Sequence, residues 1–337
     1  MPLNSPMHLE RVDPLDLDLD TADALAEVFS ASERADGLDL PAKTGPDLLT
    51  ALQLGSDSRP MTALWVARDG DRVVAQAAAD LPWRDNTDAA GVRVRVHPDV
   101  RGRGLGGELW RTALSFVDGE GRTRLHSGAW VGGPGVAVLE HWGLTRTSRG
   151  VIRRIDVHAT PRATWDRLYV DALGHADDYE LVRQVGRTPA DRVEAMVELH
   201  ASINDAPPGD VDDEPSRWDA QRLADYEGAM AGRRQTLYRV IARHRGTGEW
   251  AGQSMLAFNE FSPSSAFQED TTVVRAHRGH RLGLLMKAAM LAWVTEERPE
   301  LATVDTWNDA TNHHMIAINE RLGSTVVATH QGFRADR

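Results

Sequence analysis

The sequence predicts a mixed α/β protein in which one sheet-and-helix unit is written twice. Its 337 residues suit two domains. Three landmarks recur in the same order: a tight turn, a glycine-rich segment and a short helix that ends in glycine. The turns begin at Asp69 and Thr247, and the glycine-rich segments begin at Arg101 and Arg278. The short helices end at Gly143 and Gly323, so the offsets between the copies are 178, 177 and 180 residues. Landmarks repeated at one spacing indicate a duplicated domain.

Each copy has the same predicted order of elements, which alternation around the turns and a 3.6-residue period after the glycines support. The first copy reads as a strand near 9–12, one or two helices, strands at 62–68, 72–79 and 92–96, a helix at 105–116 and a strand at 123–129. The second repeats this with strands near 179–185, 236–245, 250–259, 271–274 and 303–307 and a helix at 282–294. A short helix and a last strand close each copy. The order predicts mixed sheets of six to seven strands flanked by helices.

The joint between the copies is expected where the strand pattern is lost. Residues 161–178 carry Pro161 and read as a linker. We therefore place the first domain at residues 1–160 and the second at residues 179–337.

Composition excludes several classes of protein. A formal net charge of -12 argues against nucleic-acid binding and favours cationic partners. The absence of cysteine excludes disulfides, thiol nucleophiles and thiolate metal sites, and suits a reducing compartment. No long apolar run or secretion signal is present, so we expect a cytoplasmic protein with no membrane span. We also expect a monomer or homodimer that binds no metal. Lys287, one of two lysines, is expected to snorkel at the surface.

The segment Gly102–Gly107 matches the dinucleotide pattern G-x-G-x-x-G, but its context does not. That fold places the loop after its first strand and an acid at the end of the next, whereas this next strand ends in Ser127-Gly-Ala-Trp130. A strand that turns through glycines into a helix still directs backbone N–H groups at one point, which suits a pyrophosphate. Arg101 and Arg103 could add positive charge.

The two loops resemble those of the GNAT acetyltransferase superfamily, whose signature is [R/Q]-x-x-G-x-[G/A] after a strand. Arg101, Gly104 and Gly106 match it in full, whereas in the second copy Arg281 stands at the middle glycine. The family's downstream motif, N-x-x-A-x-x-x-Y-x-x-x-G-F, is kept in the second copy only at its asparagine and glycine. The tandem layout is similar to that of mycothiol synthase and other actinobacterial tandem acetyltransferases.

The resemblance implies acetyl-CoA as cosubstrate, with its pyrophosphate on the loop amides and its pantetheine along the preceding strand. The cofactor-binding residues that it implies are Val94, Val96, Arg101, Gly102, Arg103, Gly104, Gly106 and Gly107 in the first copy, and Val273, Arg278, Gly279, His280, Arg281, Gly283 and Asn312 in the second.

The catalytic groups depart from the family pattern. Its thiolate-protonating tyrosine is replaced by Asn319 in the second copy and Leu139 in the first. Glu269 and Asp270 precede the loop strand and could supply the general base; a solvated strand end is the alternative. Asn308 could orient the acceptor or the pantetheine, or cap a helix.

An acidic segment, Asp205–Glu214, has five acids and no base. It lies between the first two helices of the second copy, which in the family border the acceptor site. It reads either as a solvated linker or as an acidic lip that attracts a polycationic amine.

We therefore expect an enzyme that moves an acetyl group from acetyl-CoA directly to a primary amine of a small, cationic molecule. The second copy is the expected site, because it has more polar groups near the thioester. Catalysis in the first copy, a non-catalytic acyl-CoA-binding tandem module and a protein N-acetyltransferase remain the alternatives.

Overall fold

The computed structural model describes residues 7–205 and 213–337, so most of the acidic segment lies outside the described residues. The helices are α1 (Leu19–Ala35), α2 (Gly45–Leu54), α3 (Leu105–Gly119), α4 (Gly135–His141), α5 (Arg162–Leu173), α6 (Val193–Ala201), α7 (Ala220–Gly232), α8 (Leu282–Glu297) and α9 (His313–Arg321). The strands are β1 (His8–Val12), β2 (Ala63–Asp69), β3 (Arg72–Asp80), β4 (Ala89–Val96), β5 (Arg124–Trp130), β6 (Thr145–Asp156), β7 (Tyr179–Val185), β8 (Gln235–His244), β9 (Trp250–Asn259), β10 (Ser265–Val273), β11 (Thr303–Asp309) and β12 (Thr325–Asp336). None of these helices is both long and apolar enough to cross a membrane.

The chain forms two compact units whose bounds differ from the sequence copies. The first unit runs to Arg149 and adds Ala328–Arg337, and the second is Gly150–Val327. The difference arises at the last strand of each copy. Strand β12 pairs with β5 in the first unit, and β6 pairs with β11 in the second. Each unit is therefore completed by a strand from the other half of the sequence.

The first unit has strands in the order β1-β2-β3-β4-β5-β12, antiparallel except for β4 beside β5. On one face α3 buries Leu109 and Val117, and Phe333 of β12 joins this cluster at 1% exposure. On the other face α1 and α2 pack over β2 and β3 through a second apolar cluster. Two apolar faces covered by helices confirm the predicted mixed sheet flanked by helices.

The second unit has strands in the order β6-β11-β10-β9-β8-β7, with only β10 and β11 parallel. Helices α5 and α8 pack on one face, and Ile155 of β6 belongs to that core. Smaller apolar clusters join α6 and α7 to the opposite face. The polar groups described below lie on this opposite face.

The predicted linker at 161–178 contains a helix of the core. Trp165 of α5 is 1% exposed, and its indole N–H donates to the carbonyl of Leu322 at 3.0 Å. This segment lacks strand alternation because it forms a helix. Pro161 stands directly before the first helical residue, where a proline is compatible with a helix start.

Lys287 of α8 lies in the interior, and the expected surface position is wrong. Helix α8 buries residues on all sides, and Lys287 is 3% exposed. Burial lowers the pKa of Lys287 to about 7. A helix that is apolar all round is enclosed, so its single lysine is enclosed too.

Candidate active site

Each sheet opens at its one parallel pair of strands. Strand β4 pairs with β5 only over Ala89–Gly91, and β10 pairs with β11 only over Ser265–Gln268. Beyond these residues the two strands of each pair separate, and the glycine segment follows β4 or β10. The same gap therefore occurs in both units.

The edge of β4 that faces the gap has backbone groups to offer. Ser127 Oγ donates to the carbonyl of Val92 at 2.8 Å, and Arg101 Nε donates to that of Val96 at 3.2 Å. Alternate residues of a strand present their backbone to one edge, so Val94 between them faces the gap with both N–H and C=O. In the second unit Arg278 Nε donates to the carbonyl of Val273 at 3.2 Å in the same way.

The glycine segments end in helices whose first N–H groups have no capping side chain. Gly104 precedes α3 in the left-handed conformation, at φ 85°, without a side-chain cap. In the second unit Arg281 precedes α8 in the same conformation, at φ 53°. The turn thus requires positive φ, and Arg281 accepts strain on the order of 1 kcal/mol that a glycine would avoid. Both helix starts nevertheless present free amides and a positive dipole end.

Three arginines of these loops make ion pairs with neighbouring helices or turns. Arg101 donates to Asp36 at 2.7 Å, Arg278 to Asp205 at 3.2 Å and Arg281 to Asp171 at 2.9 Å. These arginines anchor the loops, so the backbone amides are the hydrogen-bond donors that remain available there. Arg103, Gly102, Gly279 and His280 are all exposed.

The first unit contains a cavity of about 520 Å³ beside its loop. Loop residues including Gly104, Gly106 and Gly107 line it. A side chain placed at Gly107 would meet no atom within 4 Å, so the backbone there is open to approach. The cavity is also lined by polar and aromatic side chains, among them Glu33, Arg93, Arg95, Trp130 and His330.

Two carboxylates of β10 stand where its pairing with β9 is interrupted. The register shifts between Gln268 and Thr271, so Glu269 and Asp270 lie in a bulge. Burial, and then the neighbouring Asp270, raise the pKa of Glu269 to about 7. Burial also raises the pKa of Asp270. Both carboxylates influence the hydroxyl of Tyr226 on α7, whose pKa rises chiefly through burial.

Aromatic rings cluster next to Tyr226. His200 stacks on Trp218 at 4.3 Å between ring centres, and Tyr226 meets both rings edge-on at 5.6 and 6.0 Å. Burial, followed by Arg239 and Arg222, lowers the pKa of His200 to about 3, so it is neutral.

Several buried polar atoms in this region have no hydrogen-bond partner among the described residues. They are both ring nitrogens of His200, the indole nitrogen of Trp218 and both amide atoms of Gln253. Buried polar groups are nearly always paired in native proteins, which makes these atoms candidate contacts for a ligand or bound water. We refer to Glu269, Asp270, Tyr226, Trp218 and His200 as the aromatic–acidic cluster.

Two predicted asparagines have different roles. Asn312 caps α9, because its side-chain oxygen accepts from the N–H of Met315 at 3.2 Å. Asn308 does not cap a helix: it is buried, and its oxygen accepts from Asn319 Nδ2 at 2.8 Å. The asparagine that replaces the family's tyrosine is thus held by Asn308.

Sequence reasoning missed the aromatic half of the aromatic–acidic cluster and the polar end of the cavity in the first unit. Tyr226 precedes Glu269 by 43 residues, and His330 reaches the first unit only through β12. The one available signal was that His200 and Trp218 flank the acidic segment. Within the described residues, no group of three or more His, Asp or Glu side chains could hold a metal ion.

Comparison with known proteins agrees with this geometry. Residues 25–132 match the family model described as acetyltransferase (GNAT) family. The whole chain is similar to a tandem GNAT protein from the clavulanic acid biosynthesis pathway, with 26% identity, a TM-score of 0.79 and 98% of each chain covered. Among curated proteins, none matches the sequence significantly.

Two further structures share the fold at lower identity. A GCN5-related N-acetyltransferase from Sphaerobacter thermophilus is 15% identical, with a TM-score of 0.69 and coverage of 99% of this chain and 97% of that one. A glucosamine N-acetyltransferase region of a fungal multi-domain GH3 β-N-acetylglucosaminidase is also 15% identical, with a TM-score of 0.65 and coverage of 98% and 38%.

Proposed function

We propose that this chain, which has the fold of a tandem GNAT protein and a GNAT acetyltransferase domain at residues 25–132, moves an acetyl group from acetyl-CoA to a primary amine of a small, cationic molecule. We place the transfer in the second unit. The observation that carries this choice is the pair Glu269 and Asp270 in the bulge of β10, at the point where β10 leaves β11.

Acetyl-CoA supplies the activated acyl group as a thioester, and the residues present fit it. The gap beside β10 exposes a strand edge for an amide-bearing arm, and the uncapped start of α8 suits a pyrophosphate. Gly283 leaves room there, since a Cβ would meet only Ile318 at 3.7 Å and Thr271 at 4.0 Å.

Glu269 acts as the general base in this proposal. An ammonium acceptor must lose a proton before its nitrogen can attack the thioester carbonyl carbon. A carboxylate with a pKa of about 7 can take that proton near neutral pH, which is the range in which base catalysis is most efficient. A C–N bond then forms and the C–S bond breaks. A second proton of the attacking nitrogen goes to the departing sulfur, so CoA leaves as its thiol, and the proton taken by Glu269 is released to solvent.

The aromatic–acidic cluster suits a cationic acceptor. Two carboxylates attract an ammonium group, and the ring of Tyr226 beside them adds cation–π attraction, whereas the ring of Trp218 is already occupied by His200 and by the guanidinium of Arg222 at 4.9 Å. The unpaired nitrogens of His200 and Trp218 offer hydrogen bonds to a polar part of the same molecule. Asp213 and Glu214, the described end of the acidic segment, are exposed shortly before Trp218 and add negative charge.

The first unit is proposed to bind acyl-CoA as well. Its loop keeps Gly104 and Gly106, and its cavity adjoins both. At the positions that correspond to the carboxylates of β10 it has no acid, so we assign it no transfer of acetyl to an amine.

The experiment is an assay of CoA release from acetyl-CoA over a panel of amines that includes diamines, polyamines, amino sugars and lysine peptides. We expect release with a small cationic amine, and a loss of about 10²–10⁴-fold in kcat for Glu269→Gln. Glu297→Gln, the same replacement of a carboxylate by a carboxamide at an exposed residue of α8, is the matched control. Binding of acetyl-CoA without release for any amine would favour a non-catalytic module, and release with peptides alone would favour a protein acetyltransferase.

A further inference from the structure

The two units differ in charge at equivalent positions beside their gaps. At the 177-residue offset of the loops, Arg93 and Arg95 correspond to Asp270 and Thr272. The neighbouring strand supports this register, because Gln76 lies opposite Arg95 and Gln253 lies opposite Thr272. The second unit is therefore acidic where the first unit is basic.

Arg93 and Arg95 carry guanidinium groups that the described part of the chain leaves without a hydrogen-bond partner. Over the described ranges 7–205 and 213–337, neither guanidinium has a hydrogen bond or an ion pair. Arg95 lies over the ring of Phe29 at 3.7 Å, which leaves its N–H groups available. Both line the cavity of the first unit, and both influence His330 on the same cavity.

Nearby carboxylates do not neutralise this pair. Asp36 also lines the cavity, but it accepts from Arg101. Glu33 is 8% exposed and interacts electrostatically with Arg95, so it balances one guanidinium at most. The cavity thus keeps an uncompensated cation beside the gap.

We propose that the first unit binds a carboxylate group on Arg93 and Arg95. Guanidinium groups hold carboxylates through paired, charge-assisted hydrogen bonds, which makes two arginines on one cavity a fitting receptor. The carboxylate belongs either to the acyl chain of a dicarboxylic acyl-CoA or to a separate acid. This inference rests on the proposed binding of acyl-CoA in the first unit.

The test measures binding to the Gly283→Trp protein, in which the loop of the second unit is obstructed and only the first remains. Four probes are compared by calorimetry: CoA, acetyl-CoA, succinyl-CoA and succinate in the presence of CoA. A carboxylate on the acyl chain predicts that succinyl-CoA binds at least about tenfold more tightly than acetyl-CoA. A separate acid predicts saturable binding of succinate to the CoA-loaded protein.

The tighter binding of succinyl-CoA, or the binding of succinate to the CoA-loaded protein, must disappear in Arg93→Gln, while the binding of CoA is unchanged. Arg95→Met, which keeps an apolar stem on Phe29, is the second variant, and Arg146→Gln, a surface arginine paired with Glu140, is the control. The inference is overturned if neither carboxylate probe gains over acetyl-CoA and CoA, or if the gain survives in either variant. If the protein does not bind CoA at all, the result counts against acyl-CoA binding in the first unit. Binding of succinate in the absence of CoA would then decide whether Arg93 and Arg95 form a carboxylate site.

Discussion

Glu269 shows how the surroundings of one side chain alter its acid–base chemistry. It lies in a bulge of β10 close enough to influence Tyr226 of α7, and burial and Asp270 both disfavour its charged form. The sequence places these two acids next to the loop strand, which is why they could be predicted as candidates. Tyr226 could not be predicted, because only the packing of α7 against the sheet brings it to them.

The raised pKa of Glu269 predicts the pH dependence of the reaction. A base acts only when deprotonated, so kcat/KM should rise with pH through about 7 and then level. Glu269→Gln should remove this rise together with the activity. Steady-state rates from pH 5.5 to 9 check the prediction, and a flat profile over that range in the unmodified protein would contradict it.

At the scale of elements, α8 combines a correct and an incorrect prediction. Its position after the glycine segment follows from the 3.6-residue period. The burial of Lys287 could not be read from that period, because α5 covers α8, and α5 lies in a segment that reads as a linker. An apolar pattern on all sides of a helix indicates an enclosed helix, but it does not show which element covers each side.

Lys287→Met should therefore stabilise the protein, on the order of a few kcal/mol at pH 6. The folded state binds the lysine's proton only below about 7, while the unfolded chain binds it up to the usual value of 10.5. The unfolded state holds more protons between these values, so this group makes stability rise with pH across that window. The difference in the free energy of unfolding between Lys287→Met and the parent protein should then shrink as pH approaches 10.

Urea unfolding of both proteins at pH 6 and pH 9.5 measures this difference. Arg146→Met, a change at an arginine whose side chain is 54% exposed and pairs with the exposed Glu140, is the control and should have little effect. Equal stabilities of Lys287→Met and the parent protein at pH 6 would contradict a buried, unpaired ammonium.

At the scale of the whole molecule, the duplication was predictable and the exchange of strands was not. Repeated landmarks survive in the sequence because each loop needs the same turn. The last strand of each copy, β6 or β12, is a 12-residue segment whose side-chain pattern is satisfied by either sheet. Which sheet it joins depends on long-range pairing, seen here at Ser127 with Phe333 and at Trp307 with Ile152.

The exchange predicts that neither half of the sequence folds alone. Cut in the turn after β6, near His158, the first half lacks β12 with Phe333 of its core, and the second lacks β6 with Ile155. We expect each half to be insoluble or non-cooperative in urea unfolding, and co-expression to restore a soluble pair. Two halves that are each soluble and unfold cooperatively would contradict this prediction.

The central claim is that acetyl transfer occurs in the second unit. Gly106 and Gly283 are equivalent positions that line up at the 177-residue offset, and both have room for a Cβ, with nearest atoms at 3.5 and 3.7 Å. Tryptophan at either position should obstruct that unit's gap, and alanine should not. The measurement is acetyl transfer by the Gly106→Trp and Gly283→Trp proteins to an amine that the wild type accepts, with the alanine variants as controls. We predict that Gly283→Trp abolishes turnover and Gly106→Trp retains it; loss of turnover in Gly106→Trp alone, with both proteins folded, would place the chemistry in the first unit and contradict the claim.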